Sequence, residues 1–311
     1  MKNILVLYHA DLDGVASAAC VGLKYPKEKI TYRHYNYGWP LEEKDFYGYD
    51  IVYAVDVSFS DHPWVYTLPG LVWIDHHKTA LEYESANPWM KNIPGLRKIG
   101  KGACEFTWEY LFPDVECPEL VKYLSAYDVW DKTRFPWVDT LMVEYGSKHI
   151  FSLSPVKLID FLKANGNLEE LKKIGRILLS DKEKTGRSNL YNNGLYIHDF
   201  FGMRAMLLNT SSFSSLAFSS YYNPEYFDVM IPFQISPDKK VRVSFYTENP
   251  DIDVSIVAEH FGGGGHKGAA GGMMSLEELY DILSNSVSLK THLDNIGFNG
   301  NLMLFGNENK E

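Results

Sequence analysis

Three short apolar segments of the sequence each end in carboxylate or imidazole side chains. The segments are 3–8, 51–55 and 71–74, and each has the character of a buried strand. The polar residues that follow them are His9, Asp11 and Asp13 after the first, Asp56 after the second, and Asp75, His76 and His77 after the third. Polar groups at the end of a buried strand are unfavourable unless they gain hydrogen-bond partners or a metal ion. The pattern therefore indicates either a metal site or a set of polar turns.

The elements around these residues determine whether they can meet. Nearly continuous apolar strands, separated by segments with helical spacing such as 102–112 and 118–131, favour a parallel sheet with helices on both faces. In such a sheet the carboxyl ends of the strands lie at one edge, where ligands bind. We therefore predict an α/β fold with a parallel-sheet catalytic domain, and we expect the polar side chains to converge at one edge of its sheet.

Carboxylates crowded together repel one another, and at least one pKa rises unless cations are present. Oxygen ligands with a minority of imidazoles favour Mn²⁺ or Mg²⁺, whereas iron, cobalt and zinc are alternatives. The candidate ligands exceed the needs of one ion, so we expect two ions ~3.5–4 Å apart that share a bridging carboxylate. Each motif also has a structural interpretation, because an Asp after a strand can form a turn and a single His can pack in a core. The same chemistry at three strand ends favours the metal site.

The segments HADLDG, VDVS and DHH resemble the first three motifs of the DHH phosphoesterase superfamily. This superfamily includes RecJ-type exonucleases, nanoRNases that degrade short oligonucleotides, cyclic-dinucleotide phosphodiesterases and manganese pyrophosphatases. Its fourth motif supplies a further Asp, which corresponds here to Asp128, with Asp131 as the alternative.

The resemblance also implies roles for individual residues and two divalent metal ions, with Mn²⁺ favoured and Mg²⁺ or Co²⁺ as alternatives. One ion would be bound by His9, Asp11 and Asp56, and the second by Asp13, Asp56, His76 and Asp128. Asp56 would bridge the two ions. Asp75 would orient an imidazole, and His77 would face the phosphate, so these two residues are the predicted catalytic pair.

A glycine-rich stretch, HFGGGGHKGAAGG at residues 260–272, is the second feature that could bind a ligand. Consecutive glycines let backbone N–H groups approach an anion, and a helix or nest after them would add a favourable dipole. A flexible loop is the structural alternative. The stretch resembles the glycine-rich motif of the DHH-associated C-terminal substrate-binding domain. The predicted substrate-binding residues are Gly262, Gly263, Gly264, Gly265, His266, Lys267 and, on the preceding strand, Arg242.

The length of 311 residues favours two domains. We expect a catalytic domain with a connecting helix at 1–185 and a smaller α/β substrate-binding domain at 186–311, with a solvated tail at 306–311. The net charge of −10 argues against a broad surface for duplex DNA. Three scattered cysteines and the absence of a long apolar run indicate a cytoplasmic protein without a membrane segment.

These features predict a two-metal phosphohydrolase, in which water attacks phosphorus in line. The expected substrate is a short single-stranded oligonucleotide or a nucleotide phosphate, cleaved to mononucleotides. Alternatives that would use the same site are cyclic-dinucleotide or 3′-phosphoadenosine 5′-phosphate hydrolysis and pyrophosphatase or exopolyphosphatase activity. A non-catalytic binding module is a further alternative, although such a module should lack several acidic ligands. The sequence is also compatible with a homodimer.

Overall fold

The computed structural model describes residues 1–211 and 213–301, which form two compact units. The first unit is Met1–Leu179, and the second begins at Ser180. This division falls inside one long helix, which also contains the boundary expected at residue 185. The tail expected at 306–311 lies outside the described residues.

The first unit is a parallel α/β structure. In chain order it contains β1 (Asn3–His9), α1 (Leu12–Lys24), β2 (Lys29–Tyr35), β3 (Ile51–Val55), β4 (Leu71–Ile74), α2 (Lys78–Ala86), α3 (Ala103–Leu111), α4 (Glu119–Asp128), α5 (Trp137–Phe151) and α6 (Pro155–Lys163), and the unit boundary lies in α7 (Leu168–Asn193). The four strands pair in parallel in the order β2-β1-β3-β4. This architecture confirms the predicted fold class.

Both faces of this sheet are buried. In β1, Ile4 and Val6 belong to the core that includes α1, whereas Leu5 and Leu7 belong to a second core on the opposite face. Because side chains alternate between the faces of a strand, a sheet buried on both sides requires apolar residues at successive positions. This requirement explains why the strands are continuous apolar runs in the sequence.

The turn from β1 to α1 depends on Asp11 and Gly14. Asp11 is the N-cap of α1, and its Oδ1 accepts a hydrogen bond from the Gly14 amide at 2.9 Å. A Cβ atom at Gly14 would lie 2.2 Å from the backbone oxygen of His9, so no larger residue fits there without a backbone shift. The motif HADLDG therefore forms a compact turn that carries its polar side chains at the carboxyl end of β1.

The second unit is a mixed α/β structure. After α7 it contains β5 (Leu195–Phe200), β6 (Met203–Asn209), β7 (Val229–Ile235), β8 (Val241–Tyr246), α8 (Val254–His260), β9 (Gly264–His266), β10 (Ala269–Met274), α9 (Leu276–Ser284), β11 (Ser286–Ser288) and α10 (Leu289–Ile296). Its sheet has the order β11-β5-β6-β7-β8-β10-β9, in which β6 and β7 are parallel and the other neighbours are antiparallel. The predicted second, smaller α/β domain is thus confirmed as a fold.

Among the described residues, no helix is both long enough and apolar enough to cross a bilayer.

Candidate metal centre

The carboxyl ends of β1, β3 and β4 bring the predicted ligands of the first unit together. Three groups of side chains have potential ligand atoms that all lie within 4.8 Å of one another: His9, Asp11 and Asp56; Asp13, His76 and Asp128; and Asp56, His76 and His77. Asp56 and His76 each belong to two groups, so the three groups form one continuous cluster. Its members lie at or directly after the ends of the three strands, except Asp13 in the first turn of α1 and Asp128, the last residue of α4.

Asp56 occupies the middle of this cluster in an unusual backbone conformation. Its φ angle is 61°, in the left-handed region that non-glycine residues rarely adopt. Its side chain is 1% exposed, and neither carboxylate oxygen has a hydrogen-bond partner among the described residues. Nε2 of His76 lies 3.3 Å from Oδ1, and Nδ1 of His9 lies 3.7 Å from Oδ2. The Nε2 atom of His76 is likewise buried without a hydrogen-bond partner in the described part of the chain.

The electrostatics of the cluster favour a bound cation. Burial raises the pKa of Asp56 well above its usual range, and the charges of neighbouring carboxylates raise it further. Burial and the same neighbouring charges also raise the pKa of Asp128. Burial would raise the pKa of Asp11 as well, but the hydrogen bond with His9 lowers it to about 2. Divalent cations would offset the mutual repulsion of these carboxylates and replace their missing hydrogen-bond donors.

Asp13 is positioned by the beginning of α3. Its two oxygens accept hydrogen bonds from the amides of Ala103 at 2.6 Å and Cys104 at 2.8 Å. Gly102 permits this approach, because a Cβ atom there would lie 2.8 Å from Oδ1 of Asp13. The Gly102 amide in turn donates to the Ser125 hydroxyl at 2.9 Å. Sequence reasoning did not identify Gly102 or Ser125 as supporting residues, and the small residues directly before α3 were the available signal.

Asp128 and Asp131 have different environments. A carboxylate oxygen of Asp128 lies 3.2 Å from Nε2 of His76, within the cluster. Asp131 instead accepts hydrogen bonds from the amide of Thr133 at 3.0 Å and from its hydroxyl at 2.7 Å, and these bonds lower its pKa. Asp131 belongs to none of the three donor groups. Of the two candidates for the fourth motif, the geometry therefore favours Asp128.

Asp75 is buried and pairs with the partly buried His77, which also belongs to one of the donor groups. Oδ1 of Asp75 accepts hydrogen bonds from the amides of His76 and His77 and lies 2.8 Å from Nδ1 of His77. The imidazole that Asp75 orients is thus that of His77. Burial lowers the pKa of His77, but the hydrogen bond and charge of Asp75 outweigh burial and leave that pKa raised.

Two further groups border the cluster and were not identified from the sequence. The ring of Tyr37, on the loop after β2, lies 5.7 Å from the ring of His9, centroid to centroid. On α5, Nζ of Lys148 lies 3.2 Å from the buried carboxylate of Glu144. Burial raises the pKa of Glu144 to about 7, although Lys148 opposes that shift.

In the second unit, the glycine-rich stretch follows a helix and continues as a strand. Gly262 follows α8 with a φ angle of 65°, and Gly264 and Gly265 lie in β9, the edge strand that pairs with β10. Of the two arrangements considered, a helix or a nest, the helix is not formed, because the residues after the glycines continue into β10. The physical reason is close packing, because a Cβ atom at Gly263 would lie 1.8 Å from the backbone oxygen of Gly271.

The other predicted substrate-binding residues of this unit are exposed. His266 is the last residue of β9, and Lys267 lies in the turn between β9 and β10. Arg242 lies on β8 opposite Met273, and its guanidinium carbon lies 4.6 Å from the centre of the Phe213 ring. The side chain of Arg242 alternates with the buried Val241 and Val243, so it lies on the opposite face of the strand.

Comparison with known proteins agrees with the fold of both units. The DHHA1 domain family matches residues 217–288. An uncharacterized protein of Acanthamoeba polyphaga mimivirus is 28% identical over 204 residues, which are 64% of this chain and 46% of the viral protein. The match thus covers less than half the length of that relative.

Two solved structures share the overall fold. The DHH domain of a member of the s1p family of ribosomal proteins has a TM-score of 0.59 at 14% identity, covering 91% of this chain and 85% of that one. A pGpG-specific phosphodiesterase from Vibrio cholerae has a TM-score of 0.53 at 14% identity, covering 94% of this chain and 99% of that one.

These similarities agree with the motifs quoted from the sequence. The DHHA1 match includes the glycine-rich stretch, and the first three motifs lie at the ends of β1, β3 and β4. Residues 217–288 thus match the DHHA1 domain family, and the chain shares the fold of a solved DHH domain.

Proposed function

We propose that the protein is a metal-dependent phosphohydrolase whose catalytic centre is the side-chain cluster in the first unit. The observation that carries this proposal is the carboxylate of Asp56. It is buried, neither of its oxygens has a hydrogen-bond partner among the described residues, and it is shared between two groups of donor atoms. A shared carboxylate of this kind is the bridging ligand that a two-metal site requires.

The donor set fits two divalent cations. His9 and Asp11 would bind one ion, Asp13, His76 and Asp128 would bind the other, and Asp56 would contact both. A carboxylate has about four lone-pair sites for hydrogen bonds or a metal ion. Asp13 can therefore accept hydrogen bonds from two backbone amides and still bind a cation. The predominance of oxygen donors favours Mn²⁺ or Mg²⁺, with Co²⁺ as an alternative. Such ions would supply a water molecule of lowered pKa and would neutralise charge on phosphoryl oxygens.

Asp75 and His77 would act together in proton transfer to the leaving group. Because Nδ1 of His77 is held by Asp75 at 2.8 Å, Nε2 is the ring nitrogen that can exchange a proton with the substrate. The hydrogen bond and charge of Asp75 raise the pKa of His77, which favours the protonated form of the imidazole. His77 is thus suited to donate a proton to the leaving oxygen or to contact a non-bridging oxygen.

The substrate class that we propose is short single-stranded oligonucleotides, which the enzyme would cleave to mononucleotides. The Vibrio cholerae phosphodiesterase that shares this fold is specific for pGpG, a linear dinucleotide. The net charge of −10 disfavours binding of long polyanions. In the second unit, the exposed Lys267 in the turn after β9 and the edge strand β9 itself, which ends at His266, offer a cation and backbone amides to a phosphate.

The proposal can be tested with a panel of substrates in the presence of Mn²⁺. The panel contains a linear dinucleotide, a cyclic dinucleotide, 3′-phosphoadenosine 5′-phosphate and pyrophosphate, with product identity determined by chromatography. We expect the linear dinucleotide to be hydrolysed fastest, and we expect EDTA or the Asp56→Asn substitution to abolish hydrolysis. The matched control is Asp131→Asn, which changes a carboxylate outside the cluster and should retain activity. Hydrolysis of pyrophosphate alone would show that the substrate is not an oligonucleotide. A rate of hydrolysis that EDTA does not change would reject the metal centre.

A further inference from the structure

Three aromatic side chains lie beside Asp128 and take no part in the chemistry described above. We refer to Tyr127, Trp130 and Trp137 as the aromatic platform. The rings of Tyr127 and Trp137 are almost parallel, with a 7° interplanar angle and a 6.0 Å centroid distance. The ring of Trp130 lies 5.4 Å from that of Trp137 and 6.5 Å from that of Tyr127. Trp130 is 42% exposed, so the platform presents an indole to solvent.

The aromatic platform is continuous with the candidate metal centre. Tyr127 directly precedes Asp128 at the end of α4. Nζ of Lys148 lies 5.9 Å from the centre of the Tyr127 ring, and the Lys148 ammonium interacts electrostatically with Asp128 and Asp11. A base is joined to its phosphate through a single ribose, so only rings close to the phosphate-binding site can contact it. The aromatic platform adjoins the cluster through the peptide bond from Tyr127 to Asp128 and through Lys148, which contacts the Tyr127 ring.

The charges around the aromatic platform suit a nucleotide. Nζ of Lys132 lies 5.3 Å from the centre of the Trp130 ring and 5.6 Å from that of Trp137. Lysines beside aromatic rings offer positive charge to the phosphate, while the rings offer a surface on which any base can stack. An uncharged hydrophobic ligand would gain nothing from these ammonium groups.

The backbone conformation at Trp130 is unusual for a bulky residue. Trp130 and Asp131 end α4 in a Schellman motif, with hydrogen bonds from the Trp130 amide to Tyr127 at 3.1 Å and from the Asp131 amide to Ala126 at 2.9 Å. Trp130 has a φ angle of 55° at the position of this motif where glycine is usual. A bulky residue is strained in this conformation, and 42% of Trp130 remains exposed.

We propose that the aromatic platform binds a nucleobase of the substrate, with Trp130 as the principal stacking residue. This inference rests on the proposed function and narrows it, because pyrophosphate and polyphosphate have no base to place on the rings. Stacking of this kind is tolerant of sequence, so the platform would accept any of the bases.

The test compares two ligands that differ only in the base. The dissociation constants of adenosine 5′-monophosphate and ribose 5-phosphate are measured by calorimetry with Mn²⁺ present, for the wild-type protein and for Trp130→Gly. Glycine removes the ring and relieves the left-handed strain, so this variant should fold at least as stably as the wild type. We expect the wild type to bind the nucleotide more tightly by roughly 5- to 150-fold, the contribution of one base stack. Trp130→Gly should lose this preference without changing the affinity for ribose 5-phosphate.

Two controls make the result specific. Trp130→Phe retains a ring and should keep most of the preference. Trp89→Ala removes an indole of similar exposure, 47% against 42%, that lies outside the platform, and it should keep the full preference. Equal affinity of the wild type for both ligands, or an unchanged preference in Trp130→Gly, would overturn the inference. Because binding is measured without turnover, this outcome is separate from a failure of the enzyme to hydrolyse oligonucleotides.

Discussion

The substitution Asp56→Asn should have opposite effects on the metal-free and the metal-loaded protein. Burial and neighbouring carboxylates raise the pKa of Asp56, so its folded-state pKa lies above the unfolded value. Stability from such a group is fully present below the unfolded pKa and is lost as the pH rises towards the folded pKa. At neutral pH, above the unfolded pKa, the carboxyl group of Asp56 therefore makes the metal-free protein less stable than a neutral side chain would. Asparagine removes the charge and tolerates the left-handed conformation at φ 61°, so the metal-free variant should melt at a higher temperature than the wild type.

The effect of metal should be reversed in sign. A ligand at 100 times its dissociation constant stabilises the folded state by about 2.7 kcal/mol. For a unit of about 150–250 residues, each kcal/mol raises the melting temperature by about 2–4 °C. Saturating Mn²⁺ should thus raise the melting temperature of the wild type by about 5–10 °C. Because Asp56 is the ligand shared by two donor groups, Asp56→Asn should lose most of this increase.

The assay is thermal denaturation at pH 7.5, once with EDTA and once with Mn²⁺. Asp131→Asn is the matched control, since Asp131 belongs to none of the donor groups and its Oδ1 contacts can be retained by asparagine. The control should show the wild-type response to Mn²⁺. The reasoning would be refuted by a full Mn²⁺ response in Asp56→Asn, or by a metal-free variant that melts below the wild type across the neutral range.

Three further predictions concern other parts of the chain. Burial raises the pKa of Glu144 from 4.5 to about 7, so the contribution of Glu144 to stability is lost as the pH rises through that window. In denaturant unfolding with EDTA present, the free energy of unfolding of Glu144→Gln should therefore increase by about 3 kcal/mol relative to the wild type between pH 4.5 and 8. A difference in stability that does not change with pH would contradict this prediction. Gly263→Ala should destabilise the second unit by about 1–3 kcal/mol, because its Cβ atom would lie 1.8 Å from a backbone oxygen. Gly264→Ala, with open space around its Cβ atom, is the paired control and should change stability by less than about 0.5 kcal/mol; similar losses in both would show that packing is not the cause. Asp75→Asn removes the charged partner of His77, so kcat should fall about 10–100-fold and the basic limb of its pH profile should move to lower pH, whereas an unmoved limb would exclude His77 as the proton donor.

Local sequence pattern was sufficient to predict the sheet of the first unit. The predicted segments 51–55 and 71–74 coincide with β3 and β4, because a strand buried on both faces must be apolar at every position. The predicted convergence of His9, Asp56 and His76 follows from the same rule, since parallel strands end at one edge. Their roles in metal binding remain a prediction for the experiments above.

Tertiary structure decided the features that depend on residues far apart in the chain. Asp13 is positioned by the amides of Ala103 and Cys104, about 90 residues away, and no local pattern encodes that contact. The glycine-rich stretch forms an edge strand because Gly263 must approach the backbone of β10, whereas its composition alone was equally compatible with a loop before a helix. From sequence alone, the four motifs and their order along the chain could be recognised. Packing across the fold decides three further features: which carboxylates lack hydrogen-bond partners, which aspartate of the fourth motif joins the cluster, and which aromatic rings lie beside it. These features depend on burial and on neighbouring charges, which are properties of the assembled structure.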